Sequence, residues 1–154
     1  DKVPSLGQLL RMVKGRVPII VELKGRKGDD DGFADSVVET LEGYQGPVAL
    51  MSFDHWLLKD LKALDPPYPI GLTAEGANPD TFFVHEEAMQ LGLDFISYFY
   101  GHLPNSFVTA QRTQGRPIIT WTVRDSQAVE HTFAHADQMT FEGFDPKQGS
   151  AAHV

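Results

Sequence analysis

Six short strand-like segments, five of them carrying Val, Ile, Leu or Phe, alternate with amphipathic segments along this chain, and that alternation constrains its fold more than any other feature. The apolar segments start near residues 17, 47, 69, 94, 117 and 136, at intervals of 19–30 residues. Strands joined by helix-length connections are parallel, because only antiparallel neighbours can be linked by a tight turn, and the crossovers are right-handed. The even spacing, with polar residues where strands end (Glu22, Ser52, Thr73, Trp121-Thr122), suits a (β/α) TIM-type barrel better than an open doubly wound sheet. No Gly-x-Gly-x-x-Gly follows a strand, which counts against a dinucleotide site. A whole barrel has eight strands in about 250 residues. The 154 residues here are therefore expected to hold six of eight βα units, an incomplete barrel.

Local signals fill in the order. Ser5 followed by Gln8 has the capping-box spacing, and Leu6, Leu9, Leu10 and Val13 recur at helical intervals, which predicts a helix over 5–14 ahead of a strand at 17–23. Later helices are predicted over 33–44, from Asp54 as N-cap through Leu57, Leu58, Leu61 and Leu64, and over 82–91, 104–114 and 126–134. Strands are predicted at 47–53, 69–73, 94–98, 117–123 and 136–140. Asp29-Asp30-Asp31-Gly32 lacks the alternating oxygen ligands of a calcium loop and reads as a solvated loop. Residues 1–148 are expected to form one barrel portion, with a loose tail over 149–154.

Thirteen Lys and Arg against 21 Asp and Glu give a net charge of −8 without a basic stretch, so a nucleic-acid partner is not expected. No apolar run approaches the ~18 residues of a membrane span, and no signal-peptide pattern opens the chain; the expected compartment is the cytoplasm, with secretion or the periplasm left open. With no cysteine, disulfides, thiolate zinc sites and a Cys nucleophile are excluded. The chain begins with Asp1 and not Met, so a preceding segment is expected.

Glu22 and Lys24 close the first strand two positions apart and project from the same face. The carboxyl ends of parallel strands are where binding and catalysis gather. The pair reads either as a surface ion pair or as groups that hold a metal ion and a phosphate. His55 and His102 fall after strands on the same rim, as solvated loop residues, while His85 and His131 fall in helices, with Glu86 and Glu87 forming a solvated face. Glu75, just past the third strand, offers a further carboxylate that could pair with Glu22 in a different barrel hydrolase.

Read in order, several segments resemble the glycerophosphodiester phosphodiesterase family, over nearly the whole chain. Pro4-Ser5-Leu6-Gly7-Gln8-Leu9-Leu10 is similar to that family's Pro-Thr-Leu-x-Glu-x-Leu helix before its third strand. Pro18-Ile19-Ile20-Val21-Glu22-Leu23-Lys24 is similar to the third strand itself, and Met51-Ser52-Phe53-Asp54 to the close of the fourth. Gly115-Arg116-Pro117-Ile118-Ile119-Thr120-Trp121-Thr122-Val123 resembles the seventh strand, and Ala136-Asp137-Gln138-Met139-Thr140, running on to Asp145-Pro146, a diverged eighth.

The resemblance implies the third-to-eighth-strand portion of a metal-dependent phosphoric diester hydrolase that releases an alcohol and glycerol phosphate. It implies Glu22 as a ligand of a divalent ion (Mg or Ca), Lys24 as the catalytic cation on the phosphodiester, and Trp121 and Ser52 as substrate-binding residues. The family's N-terminal His-Arg-Gly, Pro-Glu-Asn-Thr, Glu-x-Asp and His-Asp segments, which supply its proton-transfer histidines and other metal carboxylates, have no counterpart in this sequence. Residues 140–146 also insert positions that the family lacks. The 154-residue chain by itself is therefore expected to be nearly inactive. The alternative is a non-catalytic half-barrel that binds a phosphorylated ligand, or pairs its exposed edge strands in a homodimer or with a partner chain.

Overall fold

The Ser5–Gln8 pair makes both bonds of a capping box. The Ser5 hydroxyl accepts from the Gln8 backbone N–H at 3.3 Å, and the Gln8 side chain accepts from the Ser5 N–H at 2.8 Å. Helix α1 (Leu6–Val13) therefore starts where its sequence places it. It ends on Lys14, whose left-handed backbone (φ 53°) returns an N–H to the Leu10 carbonyl at 2.9 Å. The computed structural model describes residues 3–146, so the tail expected over 149–154 lies outside the described residues.

Six parallel strands alternate with helices, an incomplete (β/α) TIM-type barrel, and each strand neighbours the next in sequence: β1-β2-β3-β4-β5-β6. The chain divides into two compact units, Asp1–Gly71 and Leu72–Val154, with the division inside β3 (Ile70–Ala74).

In the first unit β1 (Ile19–Leu23) pairs with β2 (Val48–Ser52) in the register Ile19↔Val48 to Leu23↔Ser52. The ladder opens with the Ile19 N–H on the Pro47 carbonyl at 3.0 Å. Helices α2 (Phe33–Leu41) and α3 (His55–Leu64) supply Leu41, Leu57, Leu58 and Leu61, all fully buried with Leu23 and Leu50. Leu64, expected on the same apolar face, instead lies exposed at the last helical position. His55, expected in a loop, is the first residue of α3, because the strand ends at Ser52 and only two residues separate the elements.

The second unit continues through α4 (Pro79–Met89), β4 (Phe95–Phe99), a 3-10 turn at Tyr100–His102, α5 (Ser106–Thr113), β5 (Ile118–Val123), α6 (Ser126–His135) and β6 (Gln138–Phe141). Helix α4 begins three residues before its predicted start. The Asn78 side chain accepts from the Thr81 N–H at 3.0 Å, and Pro79, with its fixed φ and no N–H to satisfy, suits the first turn. Asn105 and Asp125 cap α5 and α6 in the same way, each accepting at 2.8 Å. Strand β6 starts two residues later than predicted. Ala136 still belongs to the end of α6, its N–H on the Thr132 carbonyl at 2.7 Å, and Asp137 turns its carboxylate to the Ile118 N–H at 2.9 Å and to Arg112. Leu72, Ile96, Tyr98, Phe107, Ile118 and Val123 form the buried apolar interior of this unit.

Deleting a buried side chain costs its transfer free energy plus a cavity term. Leu61→Ala, at a fully buried position, is therefore expected to lower unfolding free energy by about 2–5 kcal/mol. Urea melts of the two proteins measure the difference directly.

Candidate functional site

Parallel register sets the strand ends of the first unit side by side. Glu22 stands opposite Met51 and Leu23 opposite Ser52, so the residues after both strands leave from adjacent positions. Lys24 Nζ lies 3.3 Å from Glu22 Oε2, with the lysine side chain 71% and the carboxylate 26% exposed. The two expected residues thus meet as a salt bridge open to water. Ser52 is fully buried. Its hydroxyl donates to the Leu23 carbonyl at 2.8 Å and accepts from the Asp54 N–H at 2.9 Å. Ser52 thus ties the end of β1 to the turn that leaves β2.

Asp54 stands at the N-cap of α3 without capping it: its side chain makes no bond to the helix. It accepts instead from the Gly25 N–H at 3.4 Å, just past Lys24. A second carboxylate therefore serves the same strand ends, and sequence spacing, which reads Asp before a helix as a cap, conceals it. Ca²⁺ takes six to eight oxygen ligands, and Mg²⁺ usually one or two carboxylates with water and substrate phosphates. Among the described residues no group of three or more His, Asp or Glu side chains is placed to hold a metal ion. Glu22, already paired with Lys24, does not form such a site by itself.

In the second unit Trp121 lies half-buried on β5 and donates its indole N–H to the Ser97 carbonyl at 3.2 Å. Its ring packs against Phe99 with centroids 5.2 Å apart, and Phe99 in turn meets His102 edge-on at 4.8 Å. Gly101 is required here, since a Cβ would sit 2.7 Å from the Phe99 ring.

The turn after β3 is held by three side chains that local spacing does not connect. The Gly76 N–H donates to His102 Nδ1 at 2.9 Å, the Tyr98 hydroxyl donates to the Gly76 carbonyl at 2.8 Å, and His85 Nε2 lies 2.9 Å from the Glu75 carbonyl. His102 is thus a partly buried member of a 3-10 turn and not a solvated loop residue, and His85 is buried although Glu86 and Glu87 beside it are exposed. With Nδ1 accepting, the neutral His102 ring carries its hydrogen on Nε2. Glu75 belongs to this turn. Two buried hydroxyls, Thr73 Oγ1 and Ser97 Oγ, have no hydrogen-bond partner among the described residues, so β3 and β4 retain unspent polar capacity.

Burial pushes the Tyr98 phenol up to about 12; the Asn105 side chain pulls it down and the Glu75 carboxylate adds to the rise. A phenol raised above its ordinary 10 contributes stability that is intact below pH 10 and is lost as pH rises toward 12. Between pH 10 and 11, wild-type stability in urea melts is expected to fall more steeply than that of Tyr98→Phe, which has no phenol to ionise. Parallel curves for the two proteins would contradict this.

No protein-family model and no curated protein matches the chain. Solved structures do. The Oleispira antarctica phosphodiesterase solved with its product sn-glycerol-3-phosphate matches with a TM-score of 0.77 at 18% identity, over 90% of this chain and 57% of its own. A glycerophosphodiester phosphodiesterase from Parabacteroides distasonis gives 0.72 at 19%, over 95% and 62%, and one from Thermotoga maritima 0.70 at 18%, over 91% and 60%. The chain spans less than two thirds of the length of these structures. At such identities the likeness is one of fold, and the fold is that of a partial glycerophosphodiester phosphodiesterase barrel.

Proposed function

We propose that this chain is the third-to-eighth-strand portion of a metal-dependent hydrolase of glycerophosphodiesters, which releases an alcohol and glycerol phosphate. Two observations carry the reading: the chain keeps the fold of a solved phosphodiesterase over 90% of its length, and it sets an ammonium against a carboxylate at the carboxyl end of β1. Lys24, mostly exposed and held by a single carboxylate, is suited to swing onto a phosphodiester and offset charge on its oxygens. Glu22 would contribute one oxygen ligand to a divalent ion, Mg or Ca, whose chemistry when bound is to polarise the phosphoryl group. The other ligands and the proton-transfer groups would come from outside the described residues. Trp121, backed by Phe99, would form a flat wall beside the alcohol part of the substrate.

Titration of the 154-residue chain with sn-glycerol-3-phosphate, followed by NMR, tests the phosphate contact. Saturable binding is expected, weakened about 10–100-fold by Lys24→Ala, the value of one hydrogen bond to a charged group. Unchanged affinity in the variant would remove Lys24 from the site. Hydrolysis of a glycerophosphodiester by this chain with Mg²⁺ or Ca²⁺ is expected to stay near background, and rapid turnover would show that the 154 residues already hold a full catalytic set.

A second reading rests on the outermost strands. Among the described residues β1 has β2 as its one sheet neighbour and β6 has β5, with Val17 55% and Ile20 43% exposed at or near the first edge and Phe141 exposed on the other. Unpaired strand edges are templates for pairing. On this reading the chain is a non-catalytic half-barrel that binds a phosphorylated ligand and completes itself in a homodimer or with a partner chain. Light scattering decides the homodimer: twice 17.1 kDa supports it, and a stable monomer rejects it.

A further inference from the structure

We infer that His131 and His135 on α6 form a binding site for a divalent transition-metal ion of the zinc, nickel and copper class. The inference is independent of the hydrolase reading, because it rests on second-unit residues that play no part in the strand-end chemistry.

Residues four apart share a helix face, and two histidines one turn apart are the arrangement by which a helix offers two nitrogen ligands to a single ion. Here the rings stand 5.0 Å apart between centroids, their planes inclined at 67°. His131 Nε2 lies 2.9 Å from the Leu103 carbonyl. A carbonyl only accepts, so Nε2 carries the hydrogen and Nδ1 of the neutral ring presents a lone pair. An N–H held by a backbone carbonyl is the outer contact that metal-binding histidines almost always make, since it fixes tautomer and ring orientation. Tyr100 stands edge-on to the His131 ring at 6.5 Å and limits its swing.

His135 is half-buried and its ring makes no hydrogen bond among the described residues, so it can turn toward its neighbour at little cost. Arg112 is the cation facing this site, and its charge is offset by Asp137 at 2.9 Å. Cavities of about 340 Å³ open on both sides, one lined by His135, Asn105 and Thr109, the other by His131, Asp125 and Gln127. They leave room for the waters that would complete the coordination shell. Imidazole nitrogen selects Zn²⁺, Ni²⁺ and Cu²⁺, whereas Mg²⁺ and Ca²⁺ prefer oxygen.

The test is calorimetric titration of the untagged chain with Zn²⁺, Ni²⁺, Cu²⁺ and Mg²⁺, alongside His135→Ala and His131→Gln. One equivalent of transition metal is expected, tightest for copper, with no uptake of Mg²⁺ at the same concentrations. Each substitution should weaken binding by at least about tenfold, the lower bound seen when even an outer partner of a ligand is removed. Long-range ¹H–¹⁵N spectra of the wild type give an independent readout: on adding Zn²⁺, His131 Nδ1 should take a metal-bound shift while Nε2 stays protonated. Binding that is the same in His135→Ala as in the wild type, or ring resonances that do not move, would overturn the inference.

Discussion

A parallel strand cannot be reached from its neighbour by a tight turn, and this requirement governs the layout of the chain. Each strand must be followed by a connection long enough to return to the starting edge, and the helix that fills it covers apolar side chains no turn could cover. Within each unit the carboxyl ends of paired strands consequently lie together: Leu23 beside Ser52 in the first, Phe99 beside Trp121 in the second. The residues that follow inherit that adjacency without needing contacts of their own. A one-residue slip in β1 would turn Glu22 and Lys24 together to the opposite face of the sheet.

Where a residue's role is set by its neighbours in sequence, the fold was legible. Ser5 and Gln8 predict the start of α1 because both bonds of the box lie within three residues. The leucines of α3 predict its buried face for the same reason, up to Leu64, where the helix ends and the last side chain escapes to water. Boundaries moved where a short polar side chain had two uses. Asn78 captures the Thr81 N–H and starts α4 early, while Asp137 serves Ile118 and Arg112 and delays β6. Nothing in composition or period distinguishes these uses, since both satisfy a backbone N–H equally well.

The candidate site was legible in the same measure. Glu22 and Lys24 could be placed together because a strand's period of two is fixed by the pleat. The turn at Glu75–Gly76 could not be anticipated: its partners Tyr98 and His102 lie 22 and 26 residues away and reach it only through tertiary placement. His102 looked like a solvated loop residue for that reason, and His85 like part of a polar helix face. In both, a ring nitrogen meets a backbone group, and a hydrogen bond of that kind leaves no periodic trace in the chain.

Burial separates the polar residues that build the strand ends from those suited to meet a ligand. Ser52 is fully enclosed and satisfies the Leu23 carbonyl and the Asp54 N–H at once. Its loss would strand buried backbone groups, at about 1–3 kcal/mol for each. The Glu22–Lys24 pair is open to water, where an ion pair is worth about 0–1 kcal/mol because solvent screens it and two long side chains must be held still. The fold gains little from that pair, so stability does not account for an acid and a base at the end of β1, whereas both hydrogen bonds of Ser52 serve the fold directly. On the proposed reading, a cation that the fold does not need, held by one carboxylate beside a serine-locked turn, would change partners when an anion arrives.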